Sequence, residues 1–174
     1  RQFEKAEDAY VKVLSRDQKN AMALANLAAI QIERGKFEEA EKNLRESLAS
    51  DSENPHTLST LGLLKFQQKQ YDAALDALSR AAKAEPENAQ LQNRLGLVLS
   101  EKGLRGPAET ALRKAIQLEP GYGEAHHNLA VVYATQQPPL LELGRWHYQK
   151  GLAGGQPRNT RLEQLLQIQE KAAK

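Results

Sequence analysis

The strongest constraint in this chain is a period of 34 residues. Alanine recurs at this spacing, at Ala6, Ala40, Ala74 and Ala108. Leucine follows the same period, at Leu27, Leu61, Leu95 and Leu129. A fixed period of this length indicates stacked structural repeats, each of which buries its apolar face against its neighbours. The sequence therefore predicts an elongated core rather than a single central one.

Each period contains the pattern of two helices. Between residues 21 and 34 apolar side chains fall at helical spacing, and Gly35 interrupts them. A second amphipathic stretch begins at Phe37, and its apolar stripe must face the first helix, because an isolated amphipathic helix is marginal in water. Asn54 followed by Pro55 is typical of a helix start. Small residues, Gly62 among them, recur where two helices must approach closely.

These patterns divide the chain into repeats. We assign a half repeat to residues 1–20, full repeats to 21–54, 55–88 and 89–122, an altered repeat to 123–158, and a capping helix to 159–174. In the half repeat, Phe3 and Tyr10 have the register of a second helix, so we expect a further repeat upstream to cover them. Thr160 and Glu163 predict a capping box at the start of the last helix.

The repeat pattern resembles that of the tetratricopeptide repeat (TPR) family, over nearly the whole chain. The residues that support the resemblance are Leu27-Ala28, Leu61-Gly62, Leu95-Gly96 and Leu129-Ala130, then Ala40, Ala74, Ala108, Pro86 and Pro120. The resemblance implies an all-α fold, a right-handed α-solenoid of helix-turn-helix units. The sequence departs from the family where the usual tryptophan is missing and where Arg105 replaces an aromatic residue.

Composition and motifs exclude several classes of function. The formal net charge of +2 selects neither nucleic acid nor an anionic membrane, and there is no cysteine. No apolar run is long enough to span a bilayer. The chain lacks phosphate-loop, dinucleotide, zinc-protease and nucleophile-elbow motifs, so we expect no enzyme activity and no cofactor. Repeat proteins that bind RNA need basic or stacking residues in most repeats, whereas Arg94 stands nearly alone. Nothing indicates a compartment.

The histidines and aromatic residues near the end of the chain admit two interpretations. His126, His127 and His147 are potential metal ligands. Adjacent helical residues point about 100° apart, however, so we expect His126 on the packing stripe and His127 toward the exposed inner face. We therefore favour a structural role over a metal site. Trp146 and Tyr148 suit ligand stacking, but we favour packing in the core.

By resemblance to the family, one face of the first helices lines a concave groove. The residue before each repeated leucine forms a polar row on this face: Asn26, Thr60, Arg94 and Asn128. Amide groups donate and accept hydrogen bonds, and a guanidinium pairs with carboxylates, so this row suits an extended peptide, although a hydrated row remains open. Apolar side chains beside it are also expected to reach the groove: Leu63, Phe66, Leu97 and Val131.

These features favour a non-catalytic scaffold that binds a peptide segment or a helix of a partner protein in the groove. Some members of the family bind the C-terminal carboxylate of chaperones through a clamp of five residues. The corresponding positions here are Ala25, Ala29, Thr60, Gln90 and Arg94. Only Arg94 matches, so chaperone-tail binding is disfavoured. Two alternatives stay open, namely self-assembly through the repeat ends and a targeting domain of a larger enzyme.

Overall fold

The computed structural model describes residues 2–168, which form ten α-helices and no strand. The helices are α1 (Gln2–Arg16), α2 (Ala21–Glu33), α3 (Phe37–Ser50), α4 (Pro55–Gln67), α5 (Tyr71–Ala84), α6 (Ala89–Glu101), α7 (Arg105–Leu118), α8 (Gly123–Thr135), α9 (Leu141–Ala153) and α10 (Thr160–Leu165). The predicted all-α class is confirmed. The chain divides into two compact units, Arg1–Pro86 and Glu87–Lys174.

The helices pack in antiparallel pairs of neighbours along the chain. In the first unit α2 packs on α3 and α4 on α5, and in the second α6 packs on α7 and α8 on α9. The first helices of successive pairs also touch, α2 with α4 and α6 with α8. Each unit therefore presents a face made of two first helices side by side, and we call these four helices the inner helices.

Three inner helices begin at an asparagine, and these asparagines keep the 34-residue period. Asn20, Asn54 and Asn88 are the N-caps of α2, α4 and α6. The Asn54 side-chain oxygen accepts from the backbone N–H of Thr57 at 3.1 Å, which satisfies a donor that has no partner within the helix. The predicted helix start at Asn54 is confirmed. Tyr122 takes this place before α8 and makes no side-chain cap.

Each unit has its own apolar core. In the first unit the buried cluster consists of Ala25, Ala28, Ile32, Ala40, Leu44 and Leu64. In the second unit a cluster consists of Ala130, Ala134, Tyr148, Leu162 and Leu166. The second cluster takes residues from α8, from α9 and from the segment around α10, so the last helix is part of the core of its unit.

Glycine allows close helix contact at Gly62 and Gly96. A Cβ atom on Gly62 would lie 2.5 Å from Leu78 Cγ, and one on Gly96 would lie 2.5 Å from Leu112 Cγ. Real Cβ atoms do not approach so closely, since the overlap forces side chains away from their preferred rotamers. The predicted close approach of paired helices at small residues is therefore confirmed.

The start of α10 differs from the prediction. The N-cap is Asn159, whose side-chain oxygen accepts from the N–H of Leu162 at 3.0 Å, so the capping box predicted at Thr160 is wrong. Glu163 is not available for such a box, because its carboxylate binds Tyr148 and Arg158. The helix has six residues, and residues 169–174 of the predicted capping helix lie outside the described residues.

Candidate functional site

In the first unit the predicted polar positions lie on α2 and α4. Asn26 is half-buried, and its side-chain oxygen accepts from Nε2 of His56 at 2.9 Å, which joins the two inner helices. Thr60 is only 4% exposed, and its hydroxyl donates to the carbonyl of His56 at 3.0 Å. Asn26 thus retains surface for a ligand, whereas Thr60 offers little.

The predicted apolar positions of the first unit are half-buried. Leu63 packs against the buried cluster of that unit. The ring of Phe66 lies 5.6 Å from the ring of Tyr71, at an interplanar angle of 55°. Such tilted pairs are favourable beyond the area they bury. Part of the Leu63 and Phe66 side chains is therefore buried in the fold, and the rest is exposed.

In the second unit the predicted positions lie on α6 and α8, and a buried amide orients one of them. Asn128 donates from Nδ2 to Oδ1 of Asn93 at 2.9 Å. Asn93 is fully buried and donates in turn to the hydroxyl of Tyr122 at 3.4 Å. Burial raises the pKa of Tyr122, so its hydroxyl stays protonated. Arg94, Leu97 and Val131 are half-buried on the same two helices.

Asn93 is a residue that the sequence analysis missed. Its place in the sequence, between Leu91 and Leu95 on an amphipathic helix, marks a polar residue within an apolar segment. A buried amide without partners would be costly, and here both neighbours satisfy it. The chain Tyr122–Asn93–Asn128 therefore fixes the orientation of a side chain on the inner helices.

A cavity of about 370 Å³ opens on the second unit. Its walls come from the C-terminal ends of α6 and α8, the start of α7, and α10, and include Ser100, Glu101, Arg105, Val131, Arg161 and Leu165. Val131 is the only one of these residues that the sequence analysis placed in a binding surface. We call this the α10 cavity.

The wall formed by α10 is anchored to α9. The buried Tyr148 hydroxyl donates to Glu163 at 2.7 Å and accepts from the backbone N–H of Asn159 at 2.8 Å. Arg158 binds both carboxylate oxygens of Glu163 at 2.9 Å. Hydrogen bonds from Arg158 and then from Tyr148 lower the pKa of Glu163, so the carboxylate stays charged. Arg145 donates to the carbonyl of Leu166 at 2.7 Å. The α10 cavity is thus preformed.

Two histidines form a buried pair between α8 and α9. Nδ1 of His126 lies 2.8 Å from Nδ1 of His147, and Nε2 of His126 lies 3.1 Å from the carbonyl of Pro120. A carbonyl only accepts, so His126 holds its proton on Nε2 and its Nδ1 accepts from His147. Burial, then His126, then Arg113 lower the pKa of His147 from 6.5 to about 4. The pair lies between the two helices and serves packing.

Two expectations for this region are wrong. His127 does not point to an exposed inner face: it lies against Gly151 and its ring centroid is 6.0 Å from that of Tyr148. Burial lowers the pKa of His127. Tyr148 is fully buried as predicted, but Trp146 is 53% exposed, so the prediction of core packing is wrong for it. Its ring makes edge contacts with His126 and His147. The ammonium of Lys150 lies 5.4 Å from the Trp146 ring.

Residues 2–168 contain no cluster of three or more side chains suited to hold a metal ion. In the same range no helix has the length and apolar character needed to cross a membrane. At the other end of the chain Phe3 is 52% exposed and Tyr10 is half-buried on α1.

Comparison with known proteins extends these observations. The sequence pattern described as tetratricopeptide repeat matches residues 1–58 and 32–95, and a second pattern of that description matches residues 89–122. No curated protein matches the sequence. Among solved structures, MamA superposes with a TM-score of 0.71 at 28% identity, over 87% of this chain and 88% of MamA.

Two further structures share the fold. PilF of Pseudomonas aeruginosa has a TM-score of 0.77 at 24% identity, over 95% of this chain and 83% of its own. YrrB, described as a TPR protein with an unusual peptide-binding site, has a TM-score of 0.72 at 22% identity, over 96% of this chain and 84% of its own. These likenesses confirm the predicted α-solenoid class.

Proposed function

The chain belongs to the tetratricopeptide repeat family, and on that premise we propose that it is a non-catalytic scaffold that binds a peptide segment or a helix of a partner protein on its inner helices. Proteins of this fold generally act as interaction scaffolds, since stacked repeats present extended binding surfaces. YrrB, which is described as having a peptide-binding site, supports the proposal at the level of the fold.

The observation that carries the proposal is the orientation of Asn128 by the buried Asn93. A side chain that is already held in place loses little conformational entropy when a ligand binds. Arg94, Leu97 and Val131 lie on the same two helices, so this face combines an oriented amide, a guanidinium and aliphatic surface. Such a combination suits the polar backbone and apolar side chains of a peptide.

The first unit adds a second face of similar character. Asn26 is held by His56, and the exposed parts of Leu63 and Phe66 lie on the neighbouring helix α4. Thr60 belongs to the proposed site only as a small buried residue that lets a ligand approach the helix. Polar anchors beside apolar side chains are typical of protein-recognition surfaces.

Two alternatives stay predictions. Self-association would use the face of α1 that carries Phe3, which is 52% exposed, and Tyr10, which is half-buried. A role as the targeting domain of a larger enzyme would use the same inner helices for a different purpose. Self-association through α1 gives no role to the oriented Asn128.

The test is partner binding by a variant with one change in each unit, Asn26→Ala with Arg94→Glu. We expect this variant to lose partner proteins that the wild type captures, and affinity for an identified partner, measured by calorimetry, to fall at least about tenfold, since one charge reversal is worth about 1.4 kcal/mol or more. Circular dichroism verifies that the variant remains helical.

The matched control changes the outer helices, Lys42→Glu on α3 with Gln117→Ala on α7, both of which are exposed. It makes the same change of charge and likewise truncates one amide side chain, on the outer helix of each pair. The control should bind as the wild type does. Equal partner binding by the wild type and the inner-helix variant would refute the proposal.

A further inference from the structure

The α10 cavity lies where the third repeat departs from the second. In the second repeat Phe66 and Tyr71 form an aromatic pair with ring centroids 5.6 Å apart. The residues 34 positions later are Ser100 and Arg105. The guanidinium of Arg105 donates to the carbonyl of Ser100 and, at 3.0 Å, to its hydroxyl. Two rings are thus replaced by a smaller polar pair, and the cavity opens beside that pair.

The opposite wall supplies both apolar surface and charge. Leu165 is 43% exposed, and Leu162 is buried next to it. The Arg161 side chain is exposed and makes no hydrogen bond or ion pair with any residue between 2 and 168. Because Tyr148, Glu163 and Arg158 hold this segment, the wall exists before any ligand binds.

The charge balance of the cavity favours an acidic ligand. Arg105 and Arg161 line it against a single carboxylate, Glu101. A carboxylate entering the cavity can pair with Arg161, since Arg–carboxylate pairs adopt a favourable two-bond geometry, and it also lies in the field of Arg105. Glu101 opposes the same ligand, so it lowers affinity and disfavours a second adjacent acid.

The size and the apolar lining limit the ligand further. A volume of about 370 Å³ lies at the small end of ligand pockets and suits one or two side chains rather than a whole helix about 10 Å across. Val131, Leu162 and Leu165 would gain nothing from a small inorganic anion, whereas they can bury an aliphatic side chain. One or two residues of an extended chain satisfy both requirements.

We propose that the α10 cavity is a specificity subsite that receives an acidic side chain adjacent to an aliphatic one, within an extended internal segment of a partner protein. This inference rests on the proposed function and names the chemistry of the partner. Arg161 pairs with the carboxylate, with Arg105 adding to the field, and Val131 with Leu165 bury the aliphatic side chain.

The probes are short peptides of alanine and serine, acetylated and amidated at their ends, with Leu-Glu, Leu-Gln or Ala-Glu at the centre. Binding to the whole chain is followed by the backbone amide shifts of Val131, Thr135 and Leu165 in a heteronuclear NMR titration. We expect the Leu-Glu peptide to bind at least about fivefold more tightly than either of the other two peptides, which corresponds to roughly 1 kcal/mol of binding free energy.

Three variants assign this preference to the cavity. Arg161→Gln should weaken the Leu-Glu peptide about fivefold, Arg161→Lys should restore part of the loss, and Glu101→Gln should strengthen binding. Arg45→Gln is the matched control, since the Arg45 side chain is 81% exposed on α3. It should leave binding unchanged.

Several results would overturn the inference. Equal affinity for Leu-Glu and Leu-Gln peptides, or full binding by Arg161→Gln, would remove the acidic subsite. Tighter binding of a peptide with a free C-terminal carboxylate would show that the cavity takes chain ends instead of internal acids. Shifts confined to the amides around Asn26 and Asn128 would overturn this inference yet leave the proposed function standing. No shift with any peptide would overturn it too, whereas the proposed function fails on its own test of partner capture.

Discussion

Acidification should destabilise the Glu87–Lys174 unit through the buried pair of His126 and His147. The pKa of His147 is about 4 in the folded protein against an ordinary 6.5, because burial disfavours the charged ring. Between these values the unfolded chain binds more protons than the folded one. The stabilising contribution is therefore complete above pH 6.5 and is lost as the pH falls toward 4. Proton linkage sets the loss at about 2 kcal/mol at pH 5.

The geometry of the two rings also predicts a loss of stability on acidification. In the neutral pair Nδ1 of His147 donates to Nδ1 of His126, whose Nε2 donates to Pro120. A proton added to His126 would place two donors face to face at 2.8 Å. Arg113 also disfavours charge on His147. A proton at that position would therefore break the hydrogen bond that joins α8 to α9.

The assay is urea unfolding at pH 7 and pH 5, followed by the fluorescence of Trp146, the single tryptophan of the chain. Its ring centroid lies 4.7 Å from that of His147, so it reports on this contact. The control is His147→Asn, because the asparagine Nδ2 can take the place of the Nδ1 donor without titrating in this range. The variant should be less stable overall yet lose about 2 kcal/mol less than the wild type between the two pH values.

Equal pH dependence in the wild type and in His147→Asn would refute this reasoning. His127 and the ion pair of Glu163 with Arg158 are also acid-sensitive, and both are present in the wild type and in the variant. The pKa values of His127 and Glu163 are lowered, so each loses stability as the pH falls, and their effects cancel in the comparison. The tautomers give a second measurement, since nitrogen chemical shifts should show a proton on Nε2 of His126 and on Nδ1 of His147.

Two further predictions concern backbone and packing. Gly96→Ala should lower the free energy of unfolding in urea by about 1–3 kcal/mol, since the added Cβ would overlap Leu112. Gly106→Ala, with nothing within 4 Å of the added Cβ, should be neutral or stabilise by up to about 1 kcal/mol. Equal effects of the two substitutions would contradict the packing argument. Lys69 has a φ of 60°, and the residue 34 positions later, Gly103, has a φ of 76°. This left-handed conformation strains a residue with a side chain but not a glycine, so Lys69→Gly should raise the free energy of unfolding by about 1 kcal/mol. A loss of stability would contradict that account.

The periodic features of the fold were predictable because they rest on local rules. Spacing of apolar residues placed the helix pairs, and Asn54 marked a helix start that the structure keeps. Asn20 and Asn88 repeat the same signal, and the period could have revealed them. Gly62 and Gly96 stood where two helices meet closely. Each of these depends on a residue and its neighbours within one repeat.

The failures occur where the repeats end. Trp146 is exposed because no inner helix within residues 2–168 covers that side of α9, and an aromatic residue looks the same in sequence whether or not a partner helix follows. Thr160 matches a capping box in sequence, but the buried hydroxyl of Tyr148 holds Glu163 elsewhere. Helical spacing predicted an exposed position for His127, because the sequence does not show that Gly151 lets α9 approach α8 so closely.

The sequence by itself determined the repeat, the helix pairs and the family, because packing at Ala40, Ala74 and Ala108 must recur wherever the same unit recurs. Only the tertiary structure decided which polar residues are oriented and where a cavity opens. Asn93 acquires its role from Tyr122 and Asn128, which are distant in sequence. The α10 cavity likewise needs Arg105 and Arg161 brought together by packing. Those contacts arise between repeats that differ, and a period describes only what the repeats share.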